Sequence, residues 1–174
     1  MKIYSQKGFS LIELLSVMVI VGVVAGISIY SISGEIEFSK INKEYEIAHA
    51  ILKKEIDRAT YSGNPAIVKI TNESVITKRD NRLANYCMFN MPVTAEHMTE
   101  TEFNVQVFRC NNNYECNFNA TENGICILPG GNLQYTYLVR FNNNDNSFKR
   151  WLTAYSTGMV ERGIPQNSER FLIK

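Results

Sequence analysis

The strongest constraint on this chain is a long apolar segment near its start, which follows a short basic leader. The leader comprises residues 1–8 and ends in Gly8. The next 24 residues, 9–32, contain a single charged side chain, that of Glu13. A helix of that length is about 36 Å long, which is enough to cross a hydrocarbon core of about 30 Å. We therefore expect residues 9–33 to form a transmembrane helix.

The leader also predicts how this helix is oriented and processed. Lys2 and Lys7 place the leader in the cytoplasm by the positive-inside rule, so the rest of the chain would lie outside the cytoplasm. A cleaved secretory signal has a shorter apolar region followed by a small-x-small site, and no Ala-x-Ala pattern follows this segment. The sharp charge-to-apolar junction lies at Gly8 instead. Cleavage there would remove the leader and keep the helix.

Glu13 is the feature that separates a plain anchor from a functional helix. A carboxylate deep in a membrane helix costs roughly 2.5–3.5 kcal/mol, and such residues usually have a function and a partner. The apolar segment contains no Lys or Arg. Cleavage after Gly8 would create a positive amine on Phe9, one helical turn from Glu13 on the same chain or on a neighbouring copy. The alternative is a plain anchor whose Glu13 lies near the interface and is half solvated.

Residues 7–15, with the sequence KGFSLIELL, closely resemble the start of type IV prepilins and type II secretion pseudopilins. The resemblance implies that a prepilin peptidase cuts between Gly8 and Phe9 and N-methylates Phe9. It implies that Glu13 recruits the subunit and neutralises the N-terminus of an adjacent subunit in a filament. The implied partners are other pilin or pseudopilin subunits, an inner-membrane assembly platform and inner membrane lipid. Many pilins carry a helix-kinking proline further along, whereas here none precedes Pro65.

The rest of the chain predicts one globular head. About 140 residues follow the apolar segment, which is enough for a domain with its own core. Residues 34–62 continue the helix with an apolar stripe at helical spacing, and the helix should end near a Gly-Asn-Pro sequence. The stripe consists of Ile41, Tyr45, Ala48, Leu52, Ile56 and Ala59.

Residues 63–174 change to the two-residue alternation of strands. We predict a hairpin from 66–70 and 74–77, a strand over 103–108 and a second hairpin from 133–141 and 147–155. The block 111–131 is rich in Asn, Gly and Cys and predicts a long loop held by disulfides. The expected fold is α+β, with a long N-terminal helix, half membrane and half amphipathic, packed on an antiparallel β-sheet domain.

The four cysteines predict disulfides. They all lie in the part of the chain expected outside the cytoplasm, where thiols oxidise. Three connectivities are possible, and the sequence does not choose among them. Zinc is the alternative, but the spacing lacks a C-x-x-C pair and the chain has only two histidines. The cysteines are Cys87, Cys110, Cys116 and Cys126.

The sequence indicates no catalytic centre, cofactor or metal site. Two histidines leave little for a Ser-His-Asp or Cys-His set, and no phosphate-binding glycine loop is present. Residues 142–146 place oxygen side chains at alternate positions but lack the Gly and Glu of an EF-hand loop, so a turn is the better interpretation. We therefore expect a protein that is not an enzyme.

Two further segments resemble a subfamily. Residues 57–68 are similar to the helix-to-first-strand segment of H-type pseudopilins and FimT/FimU-like minor pilins, and residues 155–162 to their closing turn with Gly-x-x-Arg. In that family the turn often has Gly-Arg-x-Arg, and here Met159 replaces the first Arg. Some minor pilins of the FimT kind are DNA receptors, and the C-terminal region offers basic side chains for phosphate contacts. These are Lys149, Arg150, Arg162 and Arg170.

The sequence as a whole predicts a structural filament subunit in the inner membrane, with one pass and the head in the periplasm. It would move into a cell-surface filament or a periplasmic pseudopilus, in a minor or initiating role. Two alternatives remain open, a DNA-binding minor pilin for natural transformation and a simple membrane-anchored periplasmic domain.

Overall fold

A computed structural model describes eight stretches of the chain, apart from the side chains of residues 27–33 and 172–173. The stretches are 10–79, 87, 91–99, 103–111, 115–118, 124–144, 148–164 and 172–173. Gly8, Phe9 and Arg170, which the sequence singles out, lie outside them. The chain divides into two compact units, Met1–Phe38 and Ser39–Lys174.

Helix α1 spans Leu11–Ser62, which confirms the prediction of one long helix. The helix ends because Gly63 adopts a positive φ of 67° and its N–H donates to the Ala59 carbonyl at 3.0 Å. A left-handed glycine at this position is a common helix stop, and Pro65 cannot continue the helix. The Gly-Asn-Pro sequence therefore fixes where the helix gives way to strands.

Two β-sheets form the rest of the second unit. Strands β1 to β3 span Ala66–Ile70, Ser74–Arg79 and Val93–Met98; β4 to β6 span Asn104–Cys110, Glu115–Phe118 and Gly124–Ile127; β7 to β10 span Thr136–Asn142, Lys149–Ala154, Val160–Arg162 and Leu172–Ile173. The first sheet has the order β3-β2-β1-β6 and the second β10-β5-β4-β7-β8-β9. All neighbours are antiparallel except β10 and β5.

Both predicted hairpins are present, as β1–β2 and β7–β8, and β4 covers the predicted strand over 103–108. The predicted long loop over 111–131 is wrong, because this block contains β5 and β6. Strand β6 pairs with β1 at the edge of the first sheet, and its Ile125 and Ile127 are fully buried in the main core. A four-residue apolar strand between Asn-rich and Gly-rich flanks gives too little alternation to be distinguished from a loop.

The predicted stripe of α1 forms one wall of the main core. All six of its residues are buried, together with apolar side chains from both sheets. Tyr45 meets the Phe141 ring edge-on at 5.6 Å, and Phe141 stacks on Phe103 at 5.9 Å. Such aromatic pairs add stabilisation beyond the area they bury. The helix thus holds the two sheets to one core.

The cysteines form two disulfides, which confirms the predicted chemistry and resolves its connectivity. Cys87 bonds to Cys126 of β6, and Cys110 bonds to Cys116 across the β4–β5 pair. The zinc alternative fails, because every thiol of the chain is committed to a disulfide. Each bridge ties a strand of the 111–131 block to a cysteine outside it.

Two buried carboxylates fasten α1 to the first sheet. Glu55 is 2% exposed and receives two hydrogen bonds from Arg79 at the end of β2, from Nε to Oε2 at 2.8 Å and from Nη2 to Oε1. Glu44 is equally buried and lies 3.3 Å from Nε2 of His97 on β3. A buried carboxylate without a cation is costly. These two pairs therefore hold α1 in one position against the first sheet.

We predict that Arg79→Met destabilises the fold by about 3 kcal/mol, because it leaves the Glu55 carboxylate buried without its main cation. Arg58→Met is the matched control. Arg58 approaches the same carboxylate only to 4.0 Å and is 39% exposed, so its loss should cost at most about 1 kcal/mol. Denaturant unfolding of the detergent-solubilised chain measures both, and equal losses would contradict this assignment.

Candidate functional site

The first part of α1, residues 11–38, has a large exposed apolar surface, and we call this part the stem. Eleven large apolar side chains between Leu11 and Val24 are each more than half exposed. Soluble monomers rarely leave such a continuous patch uncovered, so it marks a surface for lipid or for other helices. Within the stretches that the structure describes, no helix meets the length and apolarity needed to cross a membrane.

Glu13 caps the start of its own helix. Its Oε2 accepts a hydrogen bond from the Ser10 backbone N–H at 3.2 Å, and its own N–H donates to the Ser10 carbonyl at 3.0 Å. In a capping box, an acid three residues after Ser or Thr accepts a hydrogen bond from the backbone N–H of that Ser or Thr. The contact between Glu13 and Ser10 is of this kind. The carboxylate also lies at the positive end of the helix dipole. Sequence reasoning missed this local role, although the Ser-x-x-Glu spacing carries the signal.

A family model described as the prokaryotic N-terminal methylation motif matches residues 3–29. This match supports the recognition of the chain as a type IV pilin-like or pseudopilin-like protein. No match was found among curated proteins or among solved structures. The matched segment includes Glu13 and the exposed stem, whereas the head has no counterpart in these comparisons.

The head of this pilin-like chain gathers three of the four predicted basic residues around one cleft. Lys149 and Arg150 come from the start of β8 and Arg162 from the end of β9. The cleft has a volume of about 440 Å³. Its remaining lining comes from α1 and the neighbouring strands: Asn42, Tyr45, Glu46, Trp151 and Gly163. We call this site the cationic cleft.

Among the described residues that line the cationic cleft, Glu46 is the one acid. Nη2 of Arg162 donates to Oε2 of Glu46 at 2.9 Å, and both side chains are substantially exposed. Burial raises the pKa of the Tyr45 hydroxyl, and the Glu46 carboxylate adds to the rise. Arg162 and Arg150 act in the opposite direction, which places their charges near Tyr45. The described lining residues thus comprise three basic side chains and one carboxylate, which suits an anionic partner.

The positive field of the cleft also reaches His49 on α1. Burial lowers the pKa of His49 below its ordinary value of 6.5, and the Arg162 charge lowers it further, while Glu46 acts in the opposite direction. The neutral imidazole is therefore favoured next to the cleft. No other role for His49 follows from its contacts.

The aromatic side chains near the basic residues are engaged within the head. The Trp151 ring lies 6.0 Å from that of Phe108 and 5.6 Å from the Arg140 guanidinium. Phe148 packs against the main core, and the Tyr155 hydroxyl donates to Glu161 at 3.0 Å. Base stacking on these rings, which a single-stranded nucleic acid would use, is thus disfavoured. A ligand of the cleft would therefore be bound through charge.

No group of His, Cys, Asp and Glu side chains suited to a metal ion occurs among the residues that the structure describes.

We predict that Arg162→Gln raises the pKa of His49 towards 6.5, because it removes a positive charge and releases Glu46. Since the folded pKa of His49 lies below the unfolded value, native stability falls as the pH drops below about 6.5. That fall should be smaller in the variant. NMR titration of the His49 ring measures the pKa, with Lys54→Gln as a control of equal charge change. An unchanged or lower pKa in Arg162→Gln would refute the electrostatic assignment.

Proposed function

We propose that the chain is a structural subunit of a type IV pilus-like filament or of a type II secretion pseudopilus. The observation that carries this proposal is the methylation motif over residues 3–29, supported by the exposed apolar stem that follows it. The head is a compact α+β unit held by disulfides, which suits an extracytoplasmic location. The work of such a subunit is assembly, and we infer no catalytic activity.

In this proposal the chain is made as a prepilin and inserted in the inner membrane, with its leader in the cytoplasm and its head in the periplasm. A prepilin peptidase cuts between Gly8 and Phe9 and methylates the new N-terminus at Phe9. The assembly platform then extracts the subunit from the lipid into the growing filament. The apolar stem changes surroundings from lipid to neighbouring stems, so extraction does not require exposing it to water.

Glu13 supplies the specific contact of the filament core. We infer that its carboxylate pairs with the Phe9 amine of an adjacent subunit. In a low-dielectric bundle such a pair is far stronger than in water, and an unpaired carboxylate there would be costly. The capping contact with Ser10 uses only Oε2 of Glu13, and a carboxylate accepts several hydrogen bonds. Capping and pairing are therefore compatible.

A minor or initiating role is the finer part of the proposal. It rests on the resemblance of residues 57–68 and 155–162 to H-type pseudopilins and FimT/FimU-like minor pilins. The second segment lies close to the helical residue that precedes the first, since a Cβ at Gly158 would contact Ile56 at 3.5 Å. The role as a DNA receptor is less well supported, because the nearby aromatic rings are engaged internally.

We predict that Glu13→Ala reduces the assembled chain about tenfold or more, because losing a charge pair in low dielectric exceeds the 1.4 kcal/mol that equals a factor of ten. Glu13→Gln separates the two roles of this residue. A glutamine can still cap the helix but carries no charge, so it should fail as alanine does. The readout is the amount of chain in the sheared filament or pseudopilus fraction, relative to total chain.

Cleavage after Gly8 must remain normal in both variants, which a mass measurement of the N-terminus checks. Wild-type assembly of Glu13→Gln would show that capping suffices and that no charge pair forms. Wild-type assembly of Glu13→Ala would favour the simple anchored domain.

A further inference from the structure

The cationic cleft and the end of the stem carry opposite charge. Residues 34–38 of α1 contain two carboxylates, Glu35 and Glu37, both exposed. No Lys or Arg occurs between Phe9 and Ser39, so this stretch is net negative. We call it the acidic segment. The cleft is net positive, with Arg162 63% exposed and Lys149 and Arg150 also exposed.

We propose that the cationic cleft of one copy binds the acidic segment of a second copy of this chain. The proposal rests on the proposed function as a filament subunit and names one contact within the filament. Long lysine and arginine side chains at the mouth of the cleft would meet the carboxylates of a neighbouring helix. Glu35 and Glu37 lie about 200° apart around the helix axis, so a neighbour on either side meets one carboxylate.

The contact joins two different surfaces of the same chain, and this has a consequence for symmetry. Such a heterologous contact repeats from copy to copy and produces an open helical filament when the rotation does not close a ring. A contact of the cleft with itself would stop at a dimer, and like charges would oppose it. The opposite charges of the cleft and the acidic segment therefore favour a contact that can propagate.

A nucleic acid is the competing occupant of the cleft. Its phosphates would meet Lys149, Arg150 and Arg162 as the carboxylates of the acidic segment would, so charge alone does not separate the two occupants. The rings that could stack on bases are engaged internally. A helix that brings one or two carboxylates needs neither stacking nor a continuous positive track, so the geometry favours the acidic segment.

A charge exchange in the full chain tests the proposal. Lys149→Glu with Arg150→Glu should lower the assembled fraction about tenfold, a loss that corresponds to about 1.4 kcal/mol. Adding Glu35→Lys and Glu37→Lys should restore it to within about threefold of wild type, because the attraction returns with its sign exchanged. Lys53→Glu with Lys54→Glu is the matched control, since both are exposed on α1 outside the cleft. It should assemble normally.

A cross-link in membranes makes the test independent of filament formation. Ile36→Cys with Asn42→Cys places new thiols in the acidic segment and the cleft without altering any charge. Oxidation should give a ladder of multimers, as a propagating contact requires, while Ile36→Cys with Lys54→Cys should not. The native cysteines are all committed to disulfides, so they do not interfere.

Several results would overturn the proposal. Normal assembly after cleft reversal, failure of the charge exchange to restore assembly, or absence of the multimer ladder would each contradict it. If the multimer ladder forms in membranes but no filament is found, the contact is supported and the proposed function is contradicted. If cleft reversal instead abolishes low-salt retention of DNA by the solubilised chain and leaves assembly unchanged, the cleft takes nucleic acid.

Discussion

The burial of one stripe of α1 against both sheets is the interaction on which the head depends. Neither sheet could cover its apolar face alone, and the stripe from Ile41 to Ala59 closes both into one core. The residues of this stripe are alanine, leucine and isoleucine, with one aromatic residue at Tyr45. The element that organises the head is the same helix that carries the exposed apolar stem.

Carboxylates on this single helix serve three purposes that their surroundings decide. Glu44 and Glu55 are buried and contact His97 and Arg79 of the first sheet. Glu13 is exposed, caps the helix start and lies within the stretch that the methylation motif matches. Glu46 is partly exposed and faces Arg162 at the cationic cleft. Glutamates that look alike in the sequence therefore differ in role: two stabilise the fold, one caps the stem and one lies at the cleft.

The sequence predicted the helix, its end and its buried face because these depend on local spacing. Periodicity identifies the stripe, and the Gly-Asn-Pro stop needs no tertiary information. Strand β6 was not predictable in the same way, since its four residues gain strand character only by pairing with β1. Disulfide pairing also needed the fold, because Cys126 finds its partner 39 residues away.

The candidate site also has a part that the sequence predicts and a part that depends on the fold. The motif around Gly8, Phe9 and Glu13 is contiguous, so residue order alone indicated it. Lys149, Arg150 and Arg162 could be named from the sequence, but their meeting with Asn42 and Glu46 of α1 depends on the β8–β9 pairing. No local pattern indicates that a residue of the helix completes a cleft formed by strands about a hundred positions later.

The central claim is that this chain works as a processed subunit of a filament. The most direct measurement is the intact mass of the chain recovered from sheared surface filaments or from a pseudopilus fraction. The account predicts a chain that begins at Phe9, carries one added methyl group and is present in that fraction. A chain that keeps residues 1–8 and stays wholly in the membrane fraction would contradict it.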